Sequence, residues 1–521
     1  MIARENGGLR GPWPALAMAV VVLTGSLGVW MLGGHDLANL GRATLAVGGA
    51  GLVAWWAARR PVAAFGVLFV LATLSRWTME LPLGNMRLEQ PAIAAGFLAL
   101  LFARRLPDRA TLRRLLPVGI AFMVYLGALA ASSLVHAPDR PESLRMVFWI
   151  GLSMAGGLLV FLLLSGGDPE GSPRWLRLTG EGHASLGILI AVIFFTLGPV
   201  VVAPPDQAPG MAGKIYGVSW EANLFGSLVA ALALFVVEGL RSRPRPVSAA
   251  LVVLMLAGLA TAETRGAYLG LAAGLIAYGG VIVYRRHWPR TLLIPGAVVV
   301  GAILLGAWLM PVVMQPRSHA QNQPIDLTVP GWGRQFAIGS YLLPGLPIPS
   351  GSVAAPPSGS PAPAQSPAPS PGQAVPVVTP PPIDDTLAFR LDVVPVALED
   401  LKRDPIIGLG ANSFDQRHPY SPEVNKPDHI SILALAALYE SGVVGSMGLA
   451  IGFALILLTL WRASRNSTTG PMAAAYIGSL VSLLVSYEAT NAINFSLIWL
   501  IAGAGLATAL RPAGREDAVS G

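Results

Sequence analysis

Residues 248–284 read SAALVVLMLAGLATAETRGAYLGLAAGLIAYGGVIVY. Two apolar runs, 247–262 and 266–284, flank the short polar turn TAETRG. Each run approaches the length at which a helix crosses the hydrocarbon core of a bilayer, roughly 20 residues. Backbone amides in lipid must be satisfied within their own segment, so these runs read as helices. Arg265 is the single basic residue of the turn between them.

The pattern repeats along the chain. Spans are expected at about 12–33, 42–58, 61–75, 88–103, 115–135, 145–165, 184–203, 220–239, 247–262, 266–284, 291–313, 441–461, 471–487 and 492–510. The fourth is short and the turn at 58–61 is tight, so the expected number is 12–14. The sequence is 53% hydrophobic and 12% charged, with a mean hydropathy of +0.60. A soluble domain is nearer a quarter charged. The fold class is therefore an all-α polytopic membrane protein. The first apolar run is too long for a signal-peptide core and no small-x-small cleavage motif follows it, so it reads as a retained span.

The net charge is +7, carried almost wholly by arginine, with lysine only at 214, 402 and 426. In such a chain a basic total is a topology signal rather than a mark of nucleic-acid binding. One alternating set of loops holds 21 arginines; the other short loops hold 7 basic residues. This threefold bias predicts both termini cytoplasmic and the long loop 314–428 outside. The expected organisation is a first bundle (1–313), that outer loop, and a short helix with the last spans (429–521). Within the loop, 350–383 is a Pro/Ala/Ser tract that cannot bury enough apolar surface to order itself. Residues 384–428 read as folded, with amphipathic helices.

The absence of cysteine excludes disulfides, thiolate catalysis and Cys-ligated metal. No Walker A motif, dinucleotide glycine turn or Asp-x-Asp pair is present, and the histidines lack metal-ligand spacing. His35-Asp36 is the one faint candidate. No metal and no cofactor are expected.

The polar stretch 384–445 holds the chemistry. Leu387, Leu391, Val394, Leu398 and Leu401 form one helical stripe. Arg390 sits on it, where it must meet an anion or reach the lipid headgroups. Pro395 lies in the same helix and predicts a kink beside Arg390. Gly408-Leu409-Gly410 makes a turn open to close backbone approach. At Arg265, two readings stand: a salt bridge to Glu263, or an anion held jointly by the guanidinium and a helix N-terminus. Lys214 stands alone in its outer loop, as a solvated lysine would. With Asp428 as N-cap, His429 is expected at the first helical position, where the dipole favours a neutral imidazole able to accept a proton. It could equally be structural. Glu440, eleven residues on, would lie about 16 Å away along a straight helix and could not orient His429 directly; it reads as a helix-end residue.

From 203 to 450 the chain resembles the O-antigen ligase and O-antigen polymerase family of bacterial membrane glycosyltransferases. The resemblance is carried by WEANLFGSLVAALAL, AETRGAYLGLAAG, FRLDVVPVALEDLKRDPIIGLGANSF and DHISILALAALYESGVVG, in that order around a long outer loop. It implies a C-type glycosyltransferase-like fold in the bacterial plasma membrane, with an extracytoplasmic site. It also implies an undecaprenyl-pyrophosphate-linked glycan donor and a glycan or lipid-linked acceptor, as in lipopolysaccharide and other envelope polysaccharide synthesis. Carried over, the family's pyrophosphate-binding arginines fall on Arg265 and Arg390, with Lys214 near a third, and its closing histidine falls on His429 as catalytic base. Two departures stand out. Lysine replaces arginine at 214, and Ile430 follows the histidine where relatives have asparagine. The competing classes are a lipid II polymerase resting on Asp392 or Asp404, and a lipid-glycan flippase. A flippase would need ionisable residues in mid-span.

Overall fold

The computed structural model describes residues 52, 54–75, 78–81, 84–102, 106–165, 171–197, 222–262, 264–285, 293–301, 385–419, 429–466 and 469–510. Thirteen helices and one hairpin are defined within them. They are α1 (Pro61–Thr73), β1 (Thr78–Leu81), β2 (Gly84–Arg87), α2 (Glu89–Phe102), α3 (Arg109–Val135), α4 (Arg140–Ser165), α5 (Ser172–Leu197) and α6 (Ala222–Ser242). There follow α7 (Pro246–Ala262), α8 (Arg265–Tyr284), α9 (Asp385–Leu401), α10 (Ser413–Arg417), α11 (Leu433–Ala463), α12 (Gly470–Tyr487) and α13 (Ser496–Ala509). Six of these, α3, α4, α6, α8, α11 and α12, are long and apolar enough to cross a membrane. The shorter α1, α7 and α13 are equally apolar. The expected first span, Lys214 and the tract 350–383 lie outside the described residues.

The bundle is an all-α membrane fold, and its helices fall close to the expected spans. The clearest extension is α5, which starts at Ser172 rather than 184. Outside the helices, an outer loop forms the antiparallel β1–β2 hairpin, with Thr78 opposite Arg87 and Leu81 opposite Gly84.

Helix α6 is the axis: its residues are buried on every side, which an apolar helix achieves only at the centre of a bundle. Elsewhere small residues set the spacing, as expected where lipid supplies no hydrophobic drive between helices. A Cβ on Gly503 of α13 would stand 2.1 Å from the carbonyl oxygen of Gly157 on α4. A Cβ on Gly274 of α8 would stand 2.7 Å from the Gly478 oxygen on α12.

The two sets of loops gather at separate places. In the arginine-rich set, Arg285 donates to Ser464 Oγ and to the Trp461 carbonyl, and its guanidinium lies 4.5 Å from the Trp461 ring centre. In the arginine-poor set, His136 Nε2 contacts Asp404 Oδ2 at 3.1 Å and Asp139 N–H donates to Gln416 Oε1. The α9–α10 connection therefore lies against the α3–α4 loop.

Candidate active site

Helix α9 runs through Pro395, and the face it buries departs in part from the leucine stripe. Val393, Ala397 and Leu401 are buried, while Leu398 is 46% exposed. Asp400 joins the buried face because two donors meet its Oδ2: His418 Nε2 at 2.7 Å and Tyr439 Oη at 2.9 Å. A carboxylate so bonded is accommodated where an unpartnered one would be excluded. Burial pushes the Asp400 pKa up, but the hydrogen bonds from His418 and Tyr439 outweigh it and hold the group below its ordinary value.

Beyond α9, Asp404 Oδ1 accepts the N–H groups of Ile406 and Ile407, closing a turn. Gly408 and Gly410 follow with φ of 82° and 103°. These glycines let the turn lie against a break in α11. At Gly442 the backbone takes φ 63° and ψ −170°, a region that glycine alone occupies readily. In a straight helix the N–H groups of Val443 and Val444 would bond the carbonyls of Tyr439 and Glu440. Here Val443 donates to the Pro405 oxygen and Val444 to the Ile406 oxygen, at 2.9 and 3.1 Å. The Tyr439 and Glu440 carbonyls accept instead from Leu409 and Gly410, at 2.8 and 3.0 Å. The turn thus takes over both sides of two helical hydrogen bonds. Ser132 Oγ adds a further bond to the Glu440 carbonyl, and Ser133 Oγ accepts from the Ala411 N–H.

This splint presents the Glu440 side chain to a cavity of about 170 Å³. Glu440 Oε1 accepts the Asn412 N–H at 3.1 Å. His429, Asp415, Asn491 and Asn494 line the same cavity. His429 and Glu440 therefore line one cavity. Residues 429–432 are not helical, and α11 begins only at Leu433, with Ile432 at its N-cap. His429 is accordingly not at a first helical position, and the dipole argument for its neutrality does not apply; it stands exposed in a bend.

The α12–α13 loop forms the opposite wall. Asn491 holds φ 35°. Arg87, at the end of β2, donates to the Asn494 carbonyl and lies 4.3 Å over the Phe495 ring. Its Nε is 2.9 Å from Glu89 Oε1, and that carboxylate also accepts from Ser496 Oγ. Nothing in the sequence marks Arg87 apart from other loop arginines; the hairpin carries it inward.

Arg265 starts α8, exposed, after Thr264. Its neighbour Gly266 abuts α12: a Cβ there would stand 2.6 Å from the Cβ of Ala489. Ala489 precedes Thr490 and Asn491 of the cavity wall, so the start of α8 adjoins the cavity. Of the three expected anion-binding residues, Arg265 is placed beside the site. Only the backbone of position 390 is described, and Lys214 is outside the described residues. Among the described residues, no group of three or more His, Asp and Glu side chains is arranged to hold a metal ion.

No curated protein matches the chain. Residues 250–450 match the family described as O-antigen ligase. That span contains α8 with Arg265, α9, the 405–410 splint, His429, Glu440 and the Gly442 break, so this part of the chain is similar to the O-antigen ligase family.

Proposed function

We propose that the protein transfers a glycan from an undecaprenyl-pyrophosphate-linked donor to a hydroxyl of an acceptor sugar, at the outer face of a bacterial plasma membrane. The observation that carries this reading is the shared cavity of His429 and Glu440 beside the start of α8, inside the segment that matches the ligase family. The arginine bias of the loops supports its sidedness. Arg265 and Arg390, with Lys214 as a third cation, bind the pyrophosphate and offset the negative charge that grows on it as it leaves. His429 takes the proton of the acceptor hydroxyl. The freed oxygen attacks the anomeric carbon from the face opposite the leaving group. The carbon–oxygen bond to pyrophosphate breaks with its electron pair, and the anomeric configuration inverts. In this scheme guanidinium groups do the work that a metal ion does in other phosphate-leaving reactions.

The lipid II polymerase reading is less well supported. Asp404, one carboxylate it could use, is already committed to His136 and two backbone amides. The decisive test is purified protein with a defined undecaprenyl-pyrophosphate glycan and a panel of acceptor glycans, with and without EDTA. A transferred glycan of inverted anomeric configuration, formed equally in EDTA, is expected. Retention of configuration, or turnover restored only by a divalent ion, overturns the mechanism.

A further inference from the structure

The cavity has the wrong charge for a phosphate. Among the described residues no lysine or arginine lines it, whereas Asp415 and Glu440 both do. Their positions are fixed through one residue. Asn412, in the left-handed region at φ 53°, gives its backbone N–H to Glu440 Oε1 and its side-chain amide to Asp415 Oδ2 at 3.1 Å. A lining with acidic side chains and no cation among the described residues is not matched to a pyrophosphate.

The opposite wall offers acceptors. The amide oxygens of Asn491 and Asn494 are buried and have no hydrogen-bond partner among the described residues. A buried acceptor left unmade is costly, which suits these two oxygens, in residues that line the cavity, to a molecule that brings donors. Their loop is held from behind by Arg87 through the Asn494 carbonyl. Phe414, Ile430 and Ile493 complete the lining with apolar surface. Hydroxyl donors on an uncharged ring with apolar C–H faces satisfy both walls at once.

We infer that this cavity is the acceptor-sugar subsite: it takes a neutral hexose or N-acetylhexosamine ring, with Asn491 and Asn494 as specificity-determining hydrogen-bond acceptors. The inference rests on the reading of His429 as the base, which places the acceptor hydroxyl in the cavity and the pyrophosphate outside it, towards Arg265.

The test uses the full chain in lipid nanodiscs. Binding of neutral methyl hexosides and methyl N-acetylhexosaminides is read by saturation-transfer NMR, and binding of inorganic pyrophosphate by phosphorus NMR line width. At least one glycoside should bind the unaltered protein. Asn491→Gly combined with Asn494→Ala should cut that signal tenfold or more, with pyrophosphate binding unchanged. Glycine is chosen at 491 because it tolerates the left-handed backbone and carries no side-chain acceptor. Met146→Trp, which fills the cavity from α4 and leaves both asparagines in place, should do the same, so a poorly folding double variant does not decide the matter. Melting temperature on each preparation separates lost binding from lost fold. No glycoside binding to the unaltered protein, equal binding in both altered proteins, or displacement of the glycoside by pyrophosphate overturns the inference. The donor assignment is read separately through Arg265→Ala. That change should abolish pyrophosphate binding and spare the glycoside signal; pyrophosphate binding indifferent to it removes the donor reading while the sugar subsite stands on its own signal.

Discussion

Gly408 and Gly442 meet backbone to backbone. A Cβ added to Gly408 would stand 2.4 Å from the Gly442 nitrogen, and one added to Gly442 would stand 2.5 Å from the Gly408 nitrogen. This contact lets one turn of the loop replace two hydrogen bonds of a membrane helix, and it aims Glu440 into the cavity.

Gly442→Ala should therefore be severely destabilising, by about 2–5 kcal/mol, because it adds backbone strain to a steric clash. The melting temperature of the purified protein is the measurement. Gly127→Ala on α3, where a Cβ would meet nothing within 4 Å, is the control and should change stability by less than about 1 kcal/mol. Equal melting temperatures for the two variants would show that the break is not a structural requirement.

Arg87 and Glu89 form a pair in which the carboxylate is fully buried and the guanidinium nearly so. Breaking such a pair from one side strands a charge, at a cost of about 3–5 kcal/mol. Arg87→Met should show that loss, and adding Glu89→Leu should recover most of it. Recovery of stability without recovery of turnover is the expected outcome, because the double variant still lacks the donor that fixes the Asn494 carbonyl. Full activity in the double variant would mean that the loop needs no anchor.

Asp400 gives an acid-stability prediction. Its pKa is held below the ordinary value when folded, by the hydrogen bonds from His418 and Tyr439 against the opposing effect of burial. A depressed carboxylate contributes stability above its unfolded pKa, about 3.9. That contribution disappears as the pH falls through the folded pKa. The melting temperature should decline on acidification below about pH 4 through this group. Asp400→Asn should lower the melting temperature at neutral pH and flatten the acid limb. An unchanged acid limb would assign the decline to other carboxylates.

His429 and Arg265 should separate kinetically. His429→Ala should reduce turnover about 100-fold or more, the scale of a lost general base, with donor affinity near normal. Arg265→Lys should weaken donor binding and restore only part of the activity lost in Arg265→Ala, since lysine cannot grip two oxygens in the guanidinium's fork. An active but destabilised His429→Gln would sink the general-base role.

The apolar runs, the tight TAETRG turn and the arginine bias determined the class of the protein without any coordinates. Each is a local property: lipid demands internally bonded helices of a set length, and loop charge is counted residue by residue. The same holds for the Gly-Leu-Gly turn, since only glycine combines positive φ with backbone contact. Tertiary structure decided what local pattern cannot express. The buried face of α9 is set by partners for Asp400 that lie 18 and 39 residues away, so the leucine stripe placed it only in part. The placing of His429 and Glu440 around one cavity goes with a non-helical entry to α11 and a break whose freed groups are satisfied from the 405–410 turn. Arg87 became part of the site's support because a short hairpin, paired through backbone groups, turned it from a loop arginine into a buried one. Long-range hydrogen bonds and close backbone contacts have no period in the sequence; they exist only once the helices are packed.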